Sequence, residues 1–222
     1  MQDGQAQMTG TWPDIRAAYD TVARDYAAAF ASELAAKPFD RALLDDFAQA
    51  AGPHGPIWDV GCGAAGHVTR YLADCGADVV GVDLSPVSVE VARLCQPQLR
   101  FDIADMRALP AADRALAGIV AFYSVIHLPK AEVDLVLAEF LRVLQPGGGL
   151  LIAMHGGSGE VEASDWFGRD VDVKASLWSL DELAAAIESG GFAIRRRLAR
   201  QPYPDENPTE RLYVWADTSA EC

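Results

Sequence analysis

Ile57-Trp58-Asp59-Val60-Gly61-Cys62-Gly63-Ala64-Ala65-Gly66 is a short apolar strand that carries an acid near its end and runs straight into a glycine-rich turn. Glycines at 61, 63 and 66 let the backbone turn sharply where a strand meets a helix, and let a ligand approach the main chain without meeting a Cβ. The run reads as a cradle for a nucleotide-containing cofactor. Its bare spacing fits G-x-G-x-x-G, which alone permits a dinucleotide and hence a nicotinamide-dependent oxidoreductase. Asp59 discriminates, because a carboxylate just ahead of Gly61 would repel a pyrophosphate and welcome a cationic group.

Outward from this turn the apolar pattern has two regimes. Downstream, short apolar strands over 57–60, 79–82, 99–103, 118–122 and 150–154 alternate with helical stretches, which predicts a mostly parallel sheet with helices on both faces. Ser85-Pro86 pairs an N-cap residue with proline at the first helical position, and Ser179 with Glu182 forms a capping box ahead of a helix that stops at Gly190-Gly191. Two further strands, 192–198 and 212–215, flank the turn-rich 201–208 and predict an antiparallel hairpin at the sheet edge. Upstream, Pro13 opens a helix with Ile15, Tyr19, Val22, Tyr26 and Phe30 on one face, and Pro38 opens a second with Phe39, Leu43, Leu44 and Phe47.

The 222 residues, half of them hydrophobic, suit one globular domain. With 18 Lys plus Arg against 32 Asp plus Glu, the net charge of -14 argues against nucleic acid as a partner. The basic run Arg195-Arg196-Arg197 lies in a strand, where alternation sends neighbours to opposite faces, and reads as ordinary surface. Cys62, Cys75, Cys95 and Cys222 form no CxxC pair or regular framework, so neither a metal site nor a disulfide scaffold is expected. Met1–Gly10 lacks the pattern of a signal peptide, no apolar run is long enough to span a bilayer, and Cys222 lacks a lipidation context. The expectation is a cytoplasmic protein that does not associate with membranes.

Two more acids fall at strand ends. Asp83 closes Val79-Val80-Gly81-Val82-Asp83, 22 residues after Gly61, where a carboxylate can take both hydroxyls of a ribose. Asp105-Met106 follows the third strand, where the acid can accept from an adenine amino group. In the order Asp59-x-Gly61-x-Gly63, Asp83, Asp105-Met106 and Leu144-Gln145-Pro146-Gly147-Gly148, the chain resembles the class I S-adenosylmethionine-dependent methyltransferases over residues 15 to 217.

That resemblance implies a Rossmann-like seven-stranded sheet with its last strand antiparallel and an N-terminal helical lid. It implies one domain over 1–222, with cap helices at 13–51, a core at 57–217 and a substrate-side segment at 156–178. The cofactor would be S-adenosyl-L-methionine, leaving as S-adenosyl-L-homocysteine. Gly61, Cys62 and Gly63 would pack against its methionine part with Asp59 near the ammonium group, directly or through water. Asp83 would hold the ribose with Leu84 beside the adenine, and Asp105 and Met106 would meet the adenine edge. Phe122 or Tyr123 would border the sulfonium, and Tyr19 and Tyr26 would lie on the lid. The implied reaction is methyl transfer to a small-molecule acceptor by in-line displacement, or else cofactor binding without catalysis.

A base is optional in such a transfer, since positioning and desolvation can supply most of the acceleration. His127, after the fourth strand, and His155, at the end of the fifth, are the candidates because imidazole titrates near neutrality; His127 is favoured as base and His155 as a substrate contact. His67 and His54 receive no catalytic role. Trp166, Phe167 and Trp178 in the segment 156–178 can either stack on a planar acceptor or pin a surface loop to the core. Whether O, N, S or C receives the methyl, and the oligomeric state, stay open.

Overall fold

A computed structural model of the protein describes residues 12–219; Met1–Gly10 and Cys222 lie outside the described residues. In chain order the elements are α1 (Trp12–Phe30), α2 (Pro38–Ala51), β1 (Ile57–Val60), α3 (His67–Asp74), β2 (Val79–Asp83), α4 (Pro86–Cys95), β3 (Arg100–Ile103), β4 (Leu116–Phe122) and α5 (Val133–Val143). There follow β5 (Leu144–His155), β6 (Glu160–Trp166), β7 (Arg169–Ser176), α6 (Leu180–Ser189), β8 (Phe192–Arg200) and β9 (Arg211–Thr218).

Seven strands form one sheet in the order β3-β2-β1-β4-β5-β9-β8. The first five run parallel, whereas β9 is antiparallel to both β5 and β8. The strand order reverses beside β1, between the halves led by β2 and β4, which places a crevice above the carboxyl end of β1. Central strands are apolar on both faces because helices cover both. One face buries Leu43, Leu44 and Phe47 of α2 with Val68 and Leu72 of α3; the other buries Val136, Leu137 and Phe140 of α5 with Leu183 and Ile187 of α6. Each such side chain contributes about 1.5–3 kcal/mol on burial.

The local signals behave as their chemistry requires. Ser85 Oγ accepts from Ser88 N at 2.9 Å to open α4, and Ser179 with Glu182 completes a reciprocal capping box on α6. The expected antiparallel hairpin forms at the sheet edge, with β8 outermost and β9 between it and β5. Elsewhere the structure adds to the reading. The run Pro146-Gly147-Gly148 belongs to β5: α5 leads straight into that strand, and the run bulges between the Leu116–Leu144 and Gly118–Gly149 pairs. A register shift between Ile194 and Arg196 breaks the alternation, so Arg195 and Arg196 both lie over the Trp215 ring, at 4.9 and 5.2 Å. Each of the three arginines still faces a carboxylate, of Asp217, Asp46 and Asp181.

The segment after β5 differs most. Residues 160–176 form a two-stranded antiparallel sheet of their own, β6 with β7, rather than a loop. Alternation on β7 directs Val171 and Val173 inward onto Ala18 and Val22 of α1, with Trp166 beside them. The hairpin and α1 therefore make one covering layer, whose other side rests through Ala23 and Ala27 on Ala64 and Val91.

Candidate functional site

The carboxyl ends of the parallel strands gather the expected residues under this layer. At Gly61 the backbone takes φ +78°, and a Cβ there would lie 2.2 Å from Ser124 Cβ, so only glycine lets the tips of β1 and β4 approach. Gly63, at φ +62°, lies under the Tyr26 ring, whose nearest carbon would be 3.2 Å from an added Cβ. The Cys62 thiol points away, packing with Val89, Ala92 and Phe101, and burial raises its pKa well above the usual thiol value. At this position only the main chain faces the crevice side.

Asp59 is 1% exposed and joins no ion pair among the described residues. Thr69 Oγ1 donates to its Oδ2 at 2.6 Å. Burial lifts this carboxyl to about 6, and the Thr69 hydrogen bond and the nearby His67 offset that only in part. Asp83 accepts from Gly63 N through Oδ2 and from Ser85 N through Oδ1, each at 2.9 Å. Burial raises its pKa too, against those backbone donors and with Asp20 of α1 adding to the rise. Asp20 itself accepts from Ser85 Oγ at 2.5 Å, fastening α1 to the start of α4. Leu84 is half-buried beside Asp83, and Met106 is buried.

Asp105 differs from the expectation of an open adenine acceptor. Arg107 holds both of its oxygens, with Nη2 to Oδ2 at 2.8 Å and its own backbone N to Oδ1 at 2.9 Å, and also reaches Glu132 at 3.2 Å. Burial opposes ionisation, but Arg107 prevails and lowers the Asp105 pKa. The sequence reading missed Arg107, although a guanidinium two residues from an acid in a turn is a signal that could have been used.

At the tip of β4, Phe122 is half-buried and Tyr123 takes φ +53°, a conformation costly for a bulky residue. The Tyr123 hydroxyl lies 3.0 Å from that of Tyr213, which donates to Asp40 Oδ1 at 2.7 Å; with that proton committed, Tyr123 is the donor of its pair. His127 is bonded at both nitrogens. Nδ1 lies 2.7 Å from the Lys174 carbonyl of β7 and must carry the proton, leaving Nε2, 2.6 Å from the Tyr19 hydroxyl, as acceptor. Burial lowers its pKa, against the Lys174 contact. Tyr19 thus faces His127 and the Trp166 ring, at 5.3 Å from each, while Tyr26 lies over Gly63.

His155 has Arg211 Nη1 at 3.0 Å and Thr209 Oγ1 at 2.8 Å from its Nδ1, and its ring lies 5.1 Å from that of Tyr123. Burial and then the Arg211 charge push its pKa down to about 4. Trp178 is buried beneath this region with Lys130 over its ring, so it is core; Trp166 and Phe167 stack on each other at the hairpin tip. His54 lies in the turn before β1, and His67 Nε2 meets Glu33 Oε2 at 3.0 Å.

Sequence reading gave no hint of the charge network beside Tyr123. Arg200 joins Asp40 at 2.8 Å and Glu206 at 2.6 Å, Lys37 joins Glu206 at 2.8 Å and also Glu33, and Arg211 Nε lies 3.7 Å from Glu206. The acids and bases come from segments far apart in sequence, so no local pattern announces them.

The sheet order, the acids ending β1 and β2 and the glycine turn between them define the class I methyltransferase fold. The family described as a methyltransferase domain matches residues 57–148. The methyltransferase GfsG of Streptomyces halstedii is 34% identical over 140 residues, 60% of this chain and 43% of that one. A ubiquinone biosynthesis O-methyltransferase of Brucella anthropi is 30% identical over 156 residues, 64% of this chain and 61% of that one. A solved S-adenosylmethionine-dependent methyltransferase from Methanosarcina mazei matches in fold with a TM-score of 0.71 at 18% identity, covering 81% of this chain and 98% of that one. The matched domain and these relatives are all methyltransferases, and the chain shares the class I methyltransferase fold with the solved structure. It spans about half the length of the curated relatives it matches. Among the described residues no helix is long and apolar enough to cross a membrane, and no cluster of His, Cys, Asp and Glu is placed to hold a metal.

Proposed function

We propose that the protein transfers a methyl group from S-adenosylmethionine to a small molecule, acting in the cytoplasm without membrane or nucleic acid. One observation carries this reading: Asp59, sealed beneath the glycine turn, has its carboxyl raised to about 6 and lacks an ion-pair partner among the described residues. A ligand that brings an ammonium group to this turn supplies the missing charge, and a dinucleotide does not. The residues fit the cofactor in this respect. Asp59 and the main chain of Gly61, Cys62 and Gly63 would hold the amino-acid end; Asp83 the ribose; Leu84, Asp105 and Met106 the adenine; Phe122 and Tyr123 the sulfonium side; Tyr26 the roof.

The bound cofactor supplies an activated methyl on a sulfonium, leaving the chain to orient the acceptor, exclude water and take a proton. Tyr19 and His127 suit the last task. His127 Nε2 is an uncharged acceptor held against the Tyr19 hydroxyl. A proton leaving the acceptor can pass to Tyr19 Oη as Tyr19 passes its own to Nε2. Base catalysis by His127 is on this reading delivered through Tyr19.

Calorimetric titration with S-adenosylhomocysteine tests the cofactor assignment, and turnover of labelled methyl groups over phenols, amines and thiols tests the reaction. Binding is expected for wild type. Asp83→Ala, losing charge-assisted hydrogen bonds of about 1.5–3 kcal/mol each, should bind tenfold or more weaker. A protein that binds NADH and not S-adenosylhomocysteine would refute the assignment.

A further inference from the structure

His155 is held differently from His127, and the difference bears on the acceptor. Arginine has no lone pair and can only donate, so Arg211 Nη1 at 3.0 Å requires an unprotonated His155 Nδ1. The Thr209 hydroxyl, 2.8 Å away, turns to the same atom. The ring proton of neutral His155 therefore sits on Nε2. No acceptor for that N–H is found among the described residues, yet, unlike the sealed His67 Nδ1 and Trp178 Nε1, this atom opens to solvent. Arg211 is itself fixed by Thr209 O at 2.7 Å and is 3% exposed, so the arrangement is built in from behind. His155 ends β5 beside β4, the strand that leads into His127, so both imidazoles lie at the carboxyl end of the sheet.

Resting on the methyltransferase reading above, we propose that His155 is a specificity residue whose Nε2–H donates to a second oxygen of the acceptor, beside the one methylated. One imidazole, through Tyr19, takes a proton; the other offers one that it does not give up. The chemical class that satisfies both is an aromatic or enolic acceptor with a nucleophilic hydroxyl and a neighbouring carbonyl or hydroxyl oxygen. The Tyr123 ring, tilted by 35° beside His155, adds an apolar wall suited to a planar molecule.

Imidazole nitrogen NMR of the whole protein with S-adenosylhomocysteine present tests the tautomer, with catechol as probe. The expected spectrum shows His155 protonated at Nε2 and invariant from about pH 5.5 to 8, with the Nε2 signal moved by catechol. Protonation at Nδ1, titration within that range, or a signal indifferent to saturating catechol would overturn the proposal. In turnover, wild type should favour catechol over phenol by about tenfold in kcat/KM, the worth of one hydrogen bond to a neutral donor. His155→Phe should bring the ratio near one, while His155→Gln, keeping an N–H, should restore part of it. An unchanged ratio in His155→Phe counts against the role. Calorimetry on the same variants separates the two failures: retained S-adenosylhomocysteine binding leaves the family reading intact whatever becomes of His155.

Discussion

The two halves of the crevice handle buried charge in opposite ways. Under the glycine turn, Asp59 and Asp83 are held with their pKa values raised by burial, and their protein partners are neutral donors. Beyond the tip of β4, Asp40, Glu206 and Glu33 are interleaved with Arg200, Lys37 and Arg211, and burial is outweighed: Glu33 is held at about 2 and Glu206 well below the carboxylate range. The first half holds its carboxylates without an ion-pair partner among the described residues. The second is balanced internally and joins α2 to the connection between β8 and β9. On the proposed function, charge at the first site is kept for a ligand, whereas charge at the second holds the fold.

Removing one partner from each half should break the comparison if it is wrong. The largest effect is expected from Arg200→Met, which leaves Asp40, at 1% exposure, and Glu206, at 4%, without their shared cation. Breaking a buried pair in this way costs about 3–5 kcal/mol, read as a lower urea midpoint. The opposite sign is expected for Asp59→Asn. The Asp59 carboxyl rises from 3.8 when free to about 6 when folded, so its favourable term is complete below about pH 4 and is lost as pH rises through 6. At neutral pH the variant should gain about 2–3 kcal/mol, while at pH 4 the two proteins should be alike. That gain should come with weaker S-adenosylhomocysteine binding. A destabilised Asp59→Asn at pH 7 would show that the carboxylate serves the fold after all.

The contrast also explains what could be read before any coordinates. Asp59, Asp83 and the glycines lie at the ends of short strands, where one local pattern fixes both backbone conformation and ligand chemistry, and the parallel order follows from strand-helix alternation. The network does not share this property. Asp40 meets Tyr213 across 173 positions, and Tyr19 meets His127 across 108, so their pairing exists only after α1, α2 and β9 have packed. The β6–β7 hairpin was missed for a different reason: β6 is exposed along most of its length and its acids and glycines mimic a loop, so only Val171 and Val173 on β7 carry an inward alternation. Asp105 has a partner that the strand-end pattern does not announce, since Arg107 bonds both of its oxygens.

Tyr19→Phe gives the smallest change in stability and the finest cut between the halves, because Tyr19 is carried by the covering helix but bonds a histidine on the acceptor side. Losing its 2.6 Å hydrogen bond to His127 should cost about 1 kcal/mol of stability. Cofactor affinity should hold, since Tyr26 rather than Tyr19 lies over Gly63. Turnover should fall more than stability does, by about a hundredfold, the usual worth of a positioned acid-base group. The acid-side pH dependence of the residual activity should stay as in wild type, because burial, which Tyr19→Phe leaves in place, is what lowers the His127 pKa. If Tyr19→Phe instead weakens S-adenosylhomocysteine binding and leaves kcat alone, Tyr19 belongs with the cofactor half, and the division at the tip of β4 has been drawn in the wrong place.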